Sequence, residues 1–556
     1  MLRASGPHSA EDWIDAFALG AASSFCLLYV GALLSLKLFW WIWIAAAVAA
    51  VAWARFASVR LRFEWSAEAR PLCGLLLLYL ALRLLPAFFQ EFPQGWDPYF
   101  HLVLADKVAQ AGRLVTDWMP YETANLNYPL GAHVLLALAS NTLGVPLHKV
   151  FVIAVAFFTA LTAAQVHVVA WRATGDRELA LYAATGYAFM AVMGSLDYLR
   201  WGGLPNVIGV YLFLGLLSLL MQQGPWGWAS RTAFAVFFVG LSLVHHHAML
   251  AAGLSLGWVL LHFAAKKDLP GAGRILQGLA LSAVLGSPYF GAYLLRSPPV
   301  QDTSIFTYLE KVITPEILLQ DFGPVFFVTV LCGVMIYFFG RSRRTFSPVL
   351  LQSLAGLLLC FVLLEYGSRF ASRYLFGQEI APFTPYRFMT DAVALLSVFS
   401  GLFLLELRLL LARTGHFVLA LFAACFVFNF TLYARAFQTV IPPEKLAAFA
   451  WLREHAEPDA IVFDESLAAS YLTRRASSHM PYPASEPVSS TTVRPLVAEM
   501  LKSGKVPAQA GRRRLIHLYS GDARSISPSQ ILWAHPSGVM VAVELNPARR
   551  PVPSAK

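Results

Sequence analysis

Charged side chains are scarce in this sequence: only 13% of its 556 residues are Asp, Glu, Lys or Arg, whereas 58% are hydrophobic. A soluble globular domain carries about 25% charged residues, so the composition excludes an ordinary soluble protein. Predominantly apolar runs of about 17–25 residues, the length of a membrane span, recur from residue 14 to residue 436. The composition therefore predicts a polytopic α-helical membrane protein.

Cysteine is scarce as well, and no two cysteines form a CxxC pair. Because all five lie within apolar runs, we expect neither a disulfide framework nor a thiolate metal site. We also find no internal repeat in the sequence, whereas many secondary transporters are built from such repeats. The five cysteines are Cys26, Cys73, Cys332, Cys360 and Cys425.

The basic residues predict how the chain crosses the membrane. Most of them lie in short loops between apolar runs, and nearly all become cytoplasmic if the N-terminus is inside. The net charge of +10 is thereby explained by topology, and we expect no nucleic-acid partner. We predict an inner (plasma) membrane protein with about thirteen transmembrane helices, near 14–36, 38–57, 71–89, 148–172, 178–196, 204–222, 231–247, 248–265, 274–295, 323–340, 347–366, 386–408 and 416–436.

This orientation exports the segments whose residues could carry chemistry. The stretch 129–145 must then lie on the outer surface as an interfacial helix, because one more crossing would invert every later loop. The predicted transmembrane domain is 1–436, and 437–545 is predicted as a small α/β extracytoplasmic domain, followed by a disordered end, 546–556. The exported loops are 90–147, which is the first external loop, 196–203, 296–322 and 367–385.

The first external loop opens with Gly95-Trp-Asp-Pro-Tyr-Phe-His101, an acid, a histidine and three aromatic residues directly after a span. Asp97 and His101 are four residues apart, so on a helix they share one face. A carboxylate here can deprotonate a hydroxyl or hold a divalent cation such as Mg²⁺ or Mn²⁺, and a histidine can assist. The alternative is structural, since Asp97 and Pro98 are suited to the start of a helix. Both interpretations of Asp97 stay open.

Other polar residues of this loop are expected to be less important. Asp106 and Glu122 are interpreted as solvated loop surface. His133 lies in an apolar helical stretch and is interpreted as a surface residue of an amphipathic helix.

The exported turn from Ser195 to Asn206 is the second candidate. Asp197 emerges there on the same side as Asp97, and Gly202 would let the backbone bend tightly near a ligand. Asp197 could support Asp97 in catalysis or in metal binding. Alternatively, Asp197 and Arg200 form a simple local ion pair.

Two further groups could bind a phosphate at the outer surface. Arg387 begins a predicted span and could pair with a lipid phosphate while the span holds the lipid tail; snorkelling at a helix end is the alternative. His245, His246 and His247 point in different directions on a helix, so they form a poor metal chelate. One of them, with His246 and His247 as the candidates, could hydrogen-bond a phosphate. Interfacial histidines without a function are the other interpretation.

These residues resemble a known family. The strings Gly95–His101 and Leu104–Gly112, then Asn127-Tyr-Pro-Leu-Gly131, occur in the order found in the first external loop of GT-C glycosyltransferases, particularly the catalytic subunit of oligosaccharyltransferases. The resemblance is good over residues 85–210 and topological afterwards. No Trp-Trp-Asp-Tyr-Gly string occurs in the tail, so an Asn-X-Ser/Thr acceptor is not supported.

The resemblance implies transfer of a sugar from a polyprenyl phosphate or diphosphate on the outer face of the membrane. It gives Asp97 the place of the acid in the first loop and Asp197 that of the second acidic motif. Arg387 lies where an arginine that binds the lipid phosphate is expected. We predict that His246, His247 and Arg200 bind the donor phosphate together with it. The second loop offers a single acid, which puts the metal in doubt.

The expected function is therefore a membrane glycosyltransferase whose partners are a lipid-linked sugar donor, membrane lipids and a glycan, lipid or protein acceptor. A transporter or flippase of lipid-linked glycans is the first alternative, although such a protein needs ionisable residues midway through its spans. A non-catalytic scaffold for envelope assembly is the second. In that case Asp97 would only cap its helix.

Overall fold

The structure is a computed structural model. It describes residues 9–33, 69–89, 91–93, 97–117, 126, 128–198, 202–222, 226–296, 314–340, 344–377, 386–410, 424, 427, 441–464, 466, 468–477, 514–520 and 528–545. Several predictions therefore lie outside the described residues, among them the spans 38–57 and 416–436 apart from Ala424 and Val427, the tail 546–556, Glu122 and Arg200.

Helices form most of the described chain, as expected where apolar segments must satisfy their backbone hydrogen bonds internally. They are α1 (Ala10–Leu33), α2 (Ala69–Phe89), α3 (Asp97–Ala111), α4 (Gly131–Leu143), α5 (Leu147–Thr174), α6 (Arg177–Phe189), α7 (Leu204–Leu220), α8 (Trp228–Val244), α9 (His246–Ala265), α10 (Leu269–Arg296), α11 (Pro315–Phe322), α12 (Pro324–Phe339), α13 (Pro348–Val362), α14 (Ser368–Phe376), α15 (Tyr386–Leu410), α16 (Pro443–His455) and α17 (Ala469–Thr473). Two π-helical turns, Val192–Leu196 and Leu363–Gly367, follow α6 and α13.

Eleven of the thirteen predicted spans overlap described helices. Five described helices are long and apolar enough to cross a membrane, and a sixth span results if α11 and α12, bent by 100°, are counted as one. The α-helical membrane fold is therefore confirmed, whereas the number thirteen stays a prediction. The segment predicted as an interfacial helix is α4, which has 13 residues.

The charged residues that the sequence assigns to the cytoplasm meet at one end of the helix bundle. Arg172 contacts Asp15 at 2.6 Å, and Arg177 contacts Glu11 at 3.0 Å. Further ion pairs at this end connect α6 and its N-cap, α15 and the segment before α13 with one another; they are Arg344–Asp176, Arg344–Glu406 and Arg408–Glu178. The N-terminal acids and these basic loops thus share an end, as predicted.

The described part of the C-terminal region contains five strands, β1 (Ile461–Phe463), β2 (Ala476–Ser477), β3 (Leu515–Ser520), β4 (Ile531–Ala534) and β5 (Met540–Glu544). They form one mixed sheet in the order β2-β1-β3-β5-β4. β1 pairs in parallel with β2 and β3, while β5 pairs antiparallel with β3 and β4. α16 buries Phe449 and Leu452 in the same hydrophobic core that contains Val462 of β1 and Ile516 of β3. The strands predicted at 460–463, 515–519 and 538–545 are confirmed, and β2 and β4 are additional.

Candidate active site

Asp97 and Arg387 meet at the other end of the bundle. Oδ2 of Asp97, the first residue of α3, lies 3.9 Å from Nη2 of Arg387, the second residue of α15. Their side chains remain 29% and 34% exposed. The two residues that the sequence singled out in separate loops therefore form one ion pair that a substrate can still reach.

Two glycines lie where the turn between α6 and α7 packs against α3 and α15, the helices that carry this pair. Gly202 has φ +76°, and a Cβ there would lie 2.2 Å from Pro98 Cγ, beside Asp97. Gly194 has φ +70°, and its Cβ would lie 2.8 Å from the carbonyl oxygen of Thr390, in the first turn of α15. Both positions need a left-handed backbone and leave no space for a side chain. The predicted tight bend at Gly202 is thus observed, and it packs against Pro98, the residue after Asp97.

A histidine pair lies behind Asp97. His101 Nδ1 is 3.0 Å from His133 Nε2, and the ring of Tyr128 is centred 6.0 Å and 5.6 Å from the two imidazoles. Burial, then His133 and the charge of Arg387, hold the pKa of His101 well below its usual value. His101 is therefore a neutral hydrogen-bonding group at physiological pH, and one ring of the pair must donate to the other.

The surface interpretation of His133 was wrong, because its side chain is fully buried. α4 packs against α3, and His133 lies on the face between them. Amphipathic spacing identifies a face of a helix but does not tell whether that face meets lipid, water or another helix.

The three adjacent histidines point in different directions, as the sequence indicates. His245 caps α9 by accepting a hydrogen bond from the Ala248 amide at 3.3 Å. His246 Nε2 lies 3.0 Å from the Tyr289 hydroxyl, and its ring is 6.3 Å from that of Tyr128. His247 packs on Phe388, with ring centroids 4.5 Å apart. Of the three, His247 is held directly against the helix turn that carries Arg387.

Asp391 belongs to the site, although the sequence interpretation missed it. Its Oδ2 lies 3.6 Å from His247 Nδ1, and only 3% of the residue is exposed. The signal was present, since Asp391 follows Arg387 by four residues and is an acid inside a predicted span. Asp391 and His247 thus lie together beside the helix turn that carries Arg387.

Asp197 follows the π-helical turn and is buried, with 8% of the residue exposed. The turn is held by Arg83 of α2, which is 1% exposed. Its guanidinium donates to the Leu196 carbonyl at 3.1 Å and to Ser195 Oγ at 3.2 Å, and Tyr79 OH lies 2.8 Å away. The turn is short, so its acid is covered by the helices that it joins.

The pKa of Asp97 is raised because burial disfavours the carboxylate, and the positive charge of Arg387 opposes this rise. A carboxylate of raised pKa is a stronger base than an ordinary aspartate while it remains ionised. Among the described residues no group of three His, Cys, Asp or Glu side chains is arranged to hold a metal ion. Asp97 and Asp197 therefore gain no third ligand from this part of the chain.

Comparison with known proteins gives the family and the fold. The sequence model of DUF6541, a family of unknown function, matches residues 9–378. The chain belongs to this family. No protein of curated function matches the sequence.

Solved structures of GT-C glycosyltransferases are similar in fold to this member of DUF6541. ArnT from Cupriavidus metallidurans, bound to undecaprenyl phosphate, is 12% identical, with a TM-score of 0.57 over 87% of this chain and 100% of ArnT. The archaeal oligosaccharyltransferase AglB from Archaeoglobus fulgidus, in complex with an inhibitory peptide and a dolichol-phosphate, is 12% identical, with a TM-score of 0.53 over 88% of this chain and 76% of AglB. The arabinofuranosyltransferase AftD from Mycobacteria is 17% identical, with a TM-score of 0.52 over 81% of this chain and 35% of AftD. The predicted GT-C fold is confirmed.

Proposed function

We propose that this protein is a membrane glycosyltransferase that transfers a sugar from a polyprenyl-phosphate or polyprenyl-diphosphate donor to a hydroxyl acceptor. The observation that carries the proposal is the reachable Asp97–Arg387 pair, 3.9 Å apart, at the end of a helical membrane bundle. Two solved proteins of similar fold bind undecaprenyl phosphate and a dolichol-phosphate. A base and a cation at one site are the two groups that such a transfer needs.

Asp97 acts as the general base in this proposal. Its carboxylate takes the proton of the acceptor hydroxyl, whose oxygen forms a bond to the anomeric carbon of the sugar. The bond between that carbon and the phosphate oxygen breaks, and the polyprenyl phosphate leaves with the electron pair. The neutral His101–His133 pair lies beside Asp97 and can orient the acceptor by hydrogen bonding.

Arg387 stabilises the leaving phosphate. A guanidinium presents several N–H donors in a fixed plane and stays charged, so it suits a phosphate whose negative charge grows during bond breaking. His247 and Asp391 hold the turn that carries Arg387. His246 and Arg200 remain predicted donor-binding residues, and Asp197 a predicted supporting acid beside the site.

A divalent cation bound by Asp97 and Asp197 also remains a prediction. Dialysis against EDTA, followed by addition of Mg²⁺ or Mn²⁺, tests it directly. Loss of transfer and its recovery would support a cation, whereas unchanged transfer would leave the chemistry to side chains.

The test of the proposed function uses the full chain, purified and reconstituted in lipid nanodiscs. It is incubated with a panel of radiolabelled sugars carried on undecaprenyl phosphate, and extracts of the cell envelope supply the acceptors. We expect release of undecaprenyl phosphate together with label in an acceptor. No release from any donor by a folded protein would contradict the proposal.

The same preparation separates the alternatives. In liposomes, a flippase would move labelled donor between leaflets without consuming it, and a scaffold would do neither. We place the site on the outer face of the inner membrane and the N-terminus in the cytoplasm, as the basic loops predict. Labelling of single introduced cysteines with a membrane-impermeant maleimide in whole cells tests that orientation.

A further inference from the structure

One contact of the C-terminal region reaches the helix that carries Asp97. Arg474, directly after α17, donates from Nε and Nη2 to the two carboxylate oxygens of Asp106 on α3, both at 2.7 Å. Gln110 donates to the same carboxylate at 2.5 Å. Asp106 is only 5% exposed, so its interpretation as solvated loop surface was wrong. A bidentate pair of this kind is both strong and directional.

Arg474 adopts a backbone conformation that is uncommon for residues other than glycine. Arg474 has φ +56°, in the left-handed region that residues with a Cβ avoid. It ends the five-residue helix α17, whose Tyr471 hydroxyl lies 3.3 Å from His148 Nδ1 at the start of α5. The C-terminal region is therefore fastened to two helices of the bundle through one short segment.

The contact continues through packed side chains to the candidate active site. Val103 and Leu104 of α3 form one hydrophobic cluster with Ala476 of β2, and Phe100 and Tyr128 pack against it. The rings of Phe100 and Tyr128 are centred 5.3 Å and 6.0 Å from that of His101. Along α3, Asp106 lies nine residues beyond Asp97, which is about 14 Å at 1.5 Å per residue. Arg474 is thus too far from Asp97 to touch the reacting atoms.

We propose that Arg474 is a positioning residue: by binding Asp106 it fixes α3 against the C-terminal region, and so fixes Asp97 and His101 relative to Arg387. The effect on sugar transfer rests on the proposed function. The effect on α3 itself does not, because it depends only on the Arg474–Asp106 pair. The two can therefore be tested separately.

The first experiment measures hydrogen exchange of the backbone amides of α3 in the full protein. Arg474→Asn keeps a residue that tolerates the left-handed backbone but cannot reach Asp106, so it removes the pair alone. We expect exchange in peptides covering 97–111 to rise by roughly tenfold, with α5 and α7 unchanged. Arg514→Asn is the matched control, since Arg514 binds Glu457 and Glu544 within the C-terminal region. It should leave α3 unaffected.

Unchanged protection of α3 in Arg474→Asn would overturn the proposal, and so would an equal rise in Arg514→Asn. Should Arg474→Asn fail to fold, Arg474→Lys serves instead. It keeps the charge but not the bidentate geometry, and an intermediate rise is expected.

The second experiment measures transfer. Arg474→Asn should lower kcat at least tenfold with KM for the donor within about twofold, because misplacement of α3 affects the reacting geometry more than donor binding. The exchanged pair Arg474→Asp with Asp106→Arg should recover part of kcat. A loss confined to melting temperature, with kcat per folded molecule intact, would show a merely structural contact. If the wild-type protein transfers no sugar, the proposed function fails, while hydrogen exchange still decides the role of Arg474.

Discussion

The two ends of the helix bundle each hold an aspartate paired with an arginine. The two aspartates differ in the exposure of their carboxylates and in the number of contacts that the carboxylates make. Asp15 of α1 is 5% exposed, and its carboxylate accepts hydrogen bonds from Gln165 at 2.8 Å, Arg172 at 2.6 Å and Ser218 at 2.9 Å. Asp97 is 29% exposed, and among the described residues its one ion-pair partner is Arg387, at 3.9 Å.

This difference separates a group that stabilises from a group that can react. A buried carboxylate whose two oxygens both accept hydrogen bonds from neighbouring helices holds those helices together and is not accessible to a substrate. A carboxylate with one long contact keeps oxygens available, and its raised pKa favours taking up a proton. Substitutions at the two ends should therefore affect different quantities.

The largest expected effect is on transfer in Asp97→Asn. Removal of the base should lower kcat by about 10²–10⁴-fold, the usual contribution of general base catalysis. Membrane levels and melting temperature should stay close to wild type, because the Asn side chain has the same shape. Full transfer at normal protein levels would show that Asp97 only starts its helix.

Asp15→Ala is expected to lower stability and to leave transfer largely unchanged. It leaves Arg172, Gln165 and Ser218 without their shared acceptor, which should cost about 3–5 kcal/mol of stability. Thermal denaturation followed by fluorescence-detected gel filtration measures the loss. Transfer per folded molecule should change by less than about threefold. A larger change would show that Asp15 also affects catalysis, so that the two ends do not differ in role.

A smaller effect is expected from Arg387→Gln, seen in the pH dependence. Arg387 lowers the pKa of Asp97 against the effect of burial, so its loss should raise that pKa further. Because the base acts in its ionised form, the acidic limb of kcat/KM should move to higher pH. The KM for the donor should rise and kcat should fall as well, because Arg387 also stabilises the leaving phosphate. An acidic limb that stays in place would mean that Asp97 is not the titrating base.

The smallest effect is expected from Arg83→Lys. Lysine cannot reproduce the fork of contacts to Leu196 and Ser195, so the turn before Asp197 loosens at a cost of about 1–2 kcal/mol. Transfer should fall severalfold, since this turn packs on the Asp97 segment. Arg172→Lys is the matched control at the other end, where stability alone should fall. Equal transfer by the two variants would show that the π-helical turn does not affect the active site.

Much of the fold followed from local rules. The apolar runs predicted the helices within a few residues, and the basic loops predicted which helix ends lie together, because both depend on composition along a short stretch of chain. Asp97 and Arg387 were identified because each is a polar residue at the edge of a span. Buried His133 and the Arg474–Asp106 pair were not, since each depends on a partner far away in sequence. Asp391 was missed although it is an acid inside a predicted span.

The sequence by itself determined that the chain is a membrane protein, which of its segments are helical, and that its polar candidates Asp97, Asp197 and Arg387 share one side. Only the tertiary structure decided that Asp97 meets Arg387, that Asp197 is covered, and that Asp106 binds Arg474. Hydrophobicity and helical period act over one span, whereas a contact at 2.7–3.9 Å depends on how spans pack. The close approaches at Gly194 and Gly202 set that packing here.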